Sequence, residues 1–200
     1  SGVVLESHGD HYHVSKSDPT VLSEHFHDTV ATAFAVHGED AGRYAVAFNA
    51  VSGANSTVTF LQERTLSAGT PAFVDVDLGA EFEGAAVAAF GHLVVTHPNG
   101  NGVTLREIAT PDTVGSAYDT QCPEISGWAA NHHGVFFGCN DGLLVLEHHT
   151  DHIDQGHLPE PAGTAEGDRI TRLRASHGTE LLVGDWGQDL VRIDVEASEP

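Results

Sequence analysis

Three stretches of this chain repeat one plan. They are "AAVAAFGHLVVTHPNGNGVTLREI" at 85–108, "SGWAANHHGVFFGCNDGLLVLEHH" at 126–149 and "ITRLRASHGTELLVGDWGQDLVRID" at 170–194. Each runs from a short apolar strand through a turn ending in glycine to a second strand, a polar glycine turn and a third strand. With Gly91, Gly134 and Gly178 taken as equivalent, the copies are spaced by 43 and then 44 residues. A looser fourth copy, with a longer turn, is "TAFAVHGEDAGRYAVAFNAVSGANSTVTFLQER" at 32–64. A period of about 40 to 45 residues in short strands is the pattern of β-propeller blades. A flat β-sandwich also uses short strands, but it leaves the regular spacing without a cause.

The local chemistry agrees with blades. "HLVVTH", "GVFFGC" and "ELLVGD" are apolar runs of strand length closed by Asn, Asp and Gly turn residues. Val, Ile, Leu and Phe dominate them, as sheets packed face to face require. Helical periodicity is confined to "DPTVLSEHFHD" at 18–28, where one or two turns are expected after Asp18 and Pro19. The expectation is an all-β chain, a single β-propeller domain or propeller portion over residues 1–200, with about four to five blades. Most propellers close with roughly four to eight. Part of a larger ring, or a ring completed by a partner, is therefore expected.

Composition narrows the partners. Twenty-nine acidic residues stand against 8 basic ones, for a formal charge of −21, and Lys16 is the single lysine. Such a surface repels nucleic acid and anionic lipid, both of which are bound by clustered Lys and Arg, and concentrates cations. A salt-adapted proteome would produce the same balance. No apolar run approaches the roughly 18 residues of a membrane span. No signal-peptide pattern follows Ser1-Gly2, so the sequence reads as cytosolic, already processed or a fragment. Cys122 and Cys139 carry no C-x-x-C pattern. They suit one structural disulfide in an oxidising compartment, or two unrelated buried thiols.

Fifteen histidines in 200 residues are several times the usual share, and they are grouped. "HGDHYH" places His8, Asp10, His11 and His13 within six positions, and "EHFHD" places His25 and His27 between Glu24 and Asp28. In an extended segment His11 and His13 share a face, and a turn through Gly9 and Asp10 brings His8 back beside them. Neutral imidazole binds Zn²⁺, Cu²⁺ or Ni²⁺, and tetrahedral zinc takes three or four such ligands. Asp10 can bind as a carboxylate or orient an imidazole. "EHHTDH" at 147–152 offers five further ligands and is expected in a surface loop. His132 and His133 fall at a blade turn, and Asp185 and Trp186 of "GDW" read as a structural device at a blade end. There is no G-x-S-x-G elbow, P-loop or H-E-x-x-H.

Three segments resemble one family, the AztD-type periplasmic zinc metallochaperones. "VVLESHGDHYHVSKSDPTVL" is similar to their "EDHGDHxH" segment, and "AVHGEDAGRYAVAFN" to their "HDGR" strand-turn-strand. "CPEISGWAANHHGVFFGCNDGLLVL" resembles their cysteine-bearing blade. The resemblance implies a propeller with one disulfide that holds zinc and hands it to the periplasmic zinc-binding protein of an ABC transporter. It implies a periplasmic, secreted or cell-surface location and no enzymatic activity. His37 would correspond to the imidazole of the "HDG"-like turn. Where the family places inner-strand histidines, this chain has Ser126-Gly127-Trp128-Ala129, Ala85-Ala86, Arg172 and Arg174. The expected metal ligands are therefore His8, Asp10, His11, His13, His25, His27 and His37. Two other readings stay open: a non-catalytic interaction module that has lost its metal, and a metal-dependent propeller hydrolase.

Overall fold

The computed structural model describes residues 2–8, 11–17, 31–36, 44–50, 52–62, 65, 68–98, 102–112, 114–175 and 181–195. Strands β1 (Gly2–His8) and β2 (His11–Ser17) pair as an antiparallel hairpin. A four-stranded sheet follows from β3 (Ala31–Val36), β4 (Tyr44–Asn49), β5 (Thr57–Gln62) and β6 (Phe73–Asp77). A second is built from β7 (Ala86–Ala89), β8 (His92–Thr96), β9 (Val103–Glu107) and β10 (Val114–Tyr118). A third comprises β11 (Gly127–Ala130), β12 (Gly134–Cys139), β13 (Gly142–His148) and β14 (Ile153–Pro159). The last holds β15 (Leu173–Ala175), β16 (Leu181–Trp186) and β17 (Asp189–Asp194).

Within every sheet each strand pairs antiparallel with its neighbour in sequence. Four such meanders, each packed on the next, are blades of a β-propeller. The four repeats of the sequence are the first three strands of the four sheets. The fourth strand was not marked by the pattern, and burial explains why. β7 is buried at every position and β9 at all but its last, whereas β10 is exposed at four positions of five. An inner strand such as β7 is walled by neighbouring sheets on both faces and reads as an unbroken run of small apolar residues, "AVAA". An outer strand such as "IDQGHLP" meets solvent and carries no such run. The helical turns expected at 18–28 lie outside the described residues, as does Gly178.

The core lies between the sheets, and β12 shows how. Phe137 belongs to the core shared with the first and second sheets, while Phe136 belongs to the core that holds Ile170, Leu173 and Leu182 of the last. Period-two alternation thus feeds two cores from one strand. Each fully buried Phe or Leu contributes roughly 1.5–3 kcal/mol over leaving it in water. The approach of the last two sheets is too close for side chains at two points. A Cβ on Gly127 would sit 2.9 Å from the Thr171 carbonyl oxygen, and one on Gly138 would sit 2.7 Å from that of Ile170.

Two polar devices fix the blades. Cys122, in the segment entering the third sheet, is bonded to Cys139 at the end of β12, and both are fully buried. Asp185 on β16 accepts the backbone N–H groups of Thr171 and Arg172 at 2.7 Å each, the Thr171 hydroxyl at 2.6 Å and Arg172 Nε at 3.2 Å. Burial of Asp185 opposes its ionisation, but these four donors outweigh burial and hold the carboxyl below its ordinary range. This is the blade-end role expected of "GDW".

Reduction of the disulfide should cost about 3 kcal/mol, given the 17-residue separation it closes, read as a lower urea midpoint with and without reductant. Asp185→Asn should destabilise by about 1–3 kcal/mol at neutral pH by weakening four hydrogen bonds. Because the folded pKa is depressed, this contribution is complete above the ordinary value of 3.8 and is lost as pH falls through the folded value. The difference between Asp185→Asn and the parent should therefore shrink in acid-unfolding curves below pH 3.8.

Candidate metal centre

The N-terminal hairpin sets the register of the first histidine group. His8 is opposite His11, and Glu6 is opposite His13. Residues paired across a ladder share a face, and so do residues two apart on one strand. Positions 6, 8, 11 and 13 therefore lie together on one face of the hairpin. The other face holds Val3, Leu5, Ser7, Tyr12, Val14 and Lys16. Sequence reasoning placed the three histidines together, but missed Glu6, which joins them only through the cross-strand register. Asp10, His25, His27 and His37 lie outside the described residues.

Among the described residues, the inner strands offer no imidazole. β3, β7, β11 and β15 read "ATAFAV", "AVAA", "GWAA" and "LRA". Other described histidines are engaged by the scaffold. His92 takes the Phe90 carbonyl oxygen at Nδ1 (2.7 Å) and Glu107 at Nε2 (3.1 Å). His97 meets the Thr104 hydroxyl. His132 and His133 occupy the turn between β11 and β12, where Asn131 Oδ1 accepts the His133 and Gly134 N–H groups at 2.9 and 3.2 Å. His148 lies flat against Phe90, with ring centroids 4.2 Å apart and planes 2° from parallel.

Two further groups bring ligand atoms together. Cys139, Asp141 and His157 converge on the opposite strand ends. The Cys139 sulfur is consumed by the disulfide, leaving an Asp141–His157 pair at 3.1 Å. His149, His152 and Asp154 converge at the turn from β13 to β14; the two histidines belong to the "EHHTDH" stretch expected to form a surface loop, and Asp154 lies just beyond it. There His152 Nδ1 is 2.7 Å from Asp151 Oδ1, and the two imidazole rings stack at 4.7 Å. The Asp151 hydrogen bond raises the His152 pKa and lowers that of Asp151.

Comparison with solved structures matches this architecture over 96% of the chain. Crystalline AztD from Citrobacter koseri superposes with a TM-score of 0.77 at 21% identity. The fold is that of AztD. The apo form of AztD from the same organism gives a TM-score of 0.76, again at 21% identity and 96% coverage. This chain spans about half of AztD, 51% of its length. No protein-family model and no curated protein matches the sequence. At this identity the likeness to AztD is one of fold. No helix among the described residues is long and apolar enough to cross a membrane.

If the hairpin face binds zinc through the histidine positions, Glu6→Gln should weaken Zn²⁺ binding several-fold. Ser7→Ala, on the opposite face, should leave it unchanged in a chelator-competition titration.

Proposed function

We propose that this chain is an extracytoplasmic zinc-binding protein. On this reading it passes the ion to the solute-binding protein of an ABC transporter, in the periplasm or at the cell surface, and catalyses no reaction. The observation that carries the reading is the hairpin register, which gathers His8, His11 and His13 with Glu6 on one face. The AztD fold and the buried disulfide, at home in an oxidising compartment, support it. Asp10, His25, His27 and His37 belong to the proposed ligand pool.

The chemistry suits transfer rather than storage. A histidine-rich edge can lose one imidazole at a time to an incoming ligand, so the ion moves without ever being bare. A protein charge of −21 raises the local concentration of cations and favours capture. Imidazole must be neutral to bind, so protons compete with zinc.

A second reading is favoured by one observation: the inner strands β3, β7, β11 and β15 carry no histidine. On that reading the chain is an interaction module of the same shape. A metal-dependent hydrolase is not favoured, since the same inner strands would have to supply its ligands.

Alanine at His11 and His13 together should weaken zinc binding at least tenfold in calorimetry with a competing chelator. An unchanged titration would remove the hairpin from the account. Parent affinity should fall as pH drops through roughly 6 to 7, where free imidazole protonates.

A further inference from the structure

The turn between β13 and β14 raises an electrostatic problem. The register of these strands sets Glu147 directly opposite Asp154. Like charges paired across a ladder repel one another. The chain places imidazoles beside them: His149 Nε2 lies 3.8 Å from Glu147 Oε1 and 3.5 Å from Asp154 Oδ2. His152 Nε2 also lies 3.5 Å from that same Asp154 oxygen. Two nitrogen ligands and one carboxylate thus converge, with a second carboxylate within reach.

The spacing suits a metal ion. Ligands held at about 2.0–2.1 Å from a tetrahedral ion stand roughly 3.4 Å from one another. Asp154 stands at 3.5 Å from each imidazole nitrogen, close to this value, and the ligand atoms of His149, His152 and Asp154 all lie within 4.8 Å of one another. The backbone holds the turn: His149 N–H donates to the His152 carbonyl oxygen at 2.9 Å. Asp151 supplies orientation. Its carboxylate lies 2.7 Å from His152 Nδ1, which favours the tautomer protonated there, and His152 Nε2 is 3.5 Å from Asp154 Oδ2. A carboxylate behind a ligating imidazole is the usual arrangement at protein metal sites and strengthens the ligand. His148 takes no part, because its ring is stacked on Phe90.

We propose that His149, His152 and Asp154 form a second metal site at the β13–β14 turn, with Glu147 as an additional ligand and Asp151 as a positioning residue. Two imidazoles with carboxylate select zinc or a neighbouring transition ion over Ca²⁺ and Mg²⁺, which prefer oxygen alone. His149 and His152 are 39% and 54% exposed, and Asp154 is 65% exposed. The ion would face solvent and keep a coordination position for water or an incoming ligand, as closed structural sites do not. The site exchanges its ion rather than storing it. This inference does not depend on the N-terminal hairpin.

The test is metal stoichiometry on the full chain, using Zn²⁺ against a chromogenic chelator and Co²⁺ absorption as a probe of tetrahedral nitrogen ligation. Relative to the parent, H149N/H152N should lose one equivalent and its share of the Co²⁺ bands. H11A/H13A should retain that equivalent. Asp151→Asn should keep it with 10- to 100-fold weaker affinity. Circular dichroism checks that the variants fold, and H152N alone, a single change at an exposed position, serves if the double variant does not. Should the hairpin variant titrate like the parent while H149N/H152N loses its equivalent, the turn site stands and the hairpin reading falls. Should H149N/H152N, or H152N in its place, bind the same equivalents at the same affinity as the parent, the turn site is wrong.

Discussion

The fold depends on strands buried on both faces between neighbouring sheets, as β7 and β12 are at every position. A single blade has two apolar faces and can cover neither by itself, so each sheet is stable only between neighbours. β12 makes the dependence concrete, with Phe137 serving one core and Phe136 the other. Small residues follow from the same constraint, since "AVAA" lets strands approach where the blades converge. Gly127 and Gly138 extend this to backbone contact with the segment 170–172. The disulfide and the Asp185 hydrogen bonds then fix the entry into the third and fourth sheets, where the chain passes from one blade to the next.

The legible part of the fold was the part under that constraint. Gly91 and Gly134 mark turns between first and second strands, and their spacing of 43 residues is the blade period. The outer strands were silent because solvent on their exposed faces removes the apolar signal, as "FVDVD" and "VGSAY" illustrate. "GDW" could be read as a blade-end device, but not which groups Asp185 would take, because Thr171 and Arg172 reach it only through the packing of β15 on β16.

The candidate sites were legible to a different degree. "HGDHYH" announces a hairpin with histidines near its turn, so the pairing of His8 with His11 was foreseeable. Glu6 was not, since its place opposite His13 depends on a register that the sequence leaves open. At the β13–β14 turn the residue types were visible in "EHHTDH", yet the sequence could not say which of three histidines would converge. Phe90 decides against His148 from a neighbouring sheet, and Asp151 turns His152 toward Asp154. Chemistry of this kind is written in tertiary contacts rather than in spacing. The proposed turn site lies at the end of the β13–β14 hairpin, where His149 and His152 are half-exposed and the blade serves as their support.

The central claim is that the histidines of this protein hold zinc. X-ray absorption at the zinc edge, on protein loaded with one equivalent near neutral pH, addresses it directly. The account predicts a first shell of nitrogen and oxygen at about 2.0–2.1 Å with the outer-shell scattering of at least two imidazole rings. A shell of oxygen alone, without imidazole scattering, would contradict it.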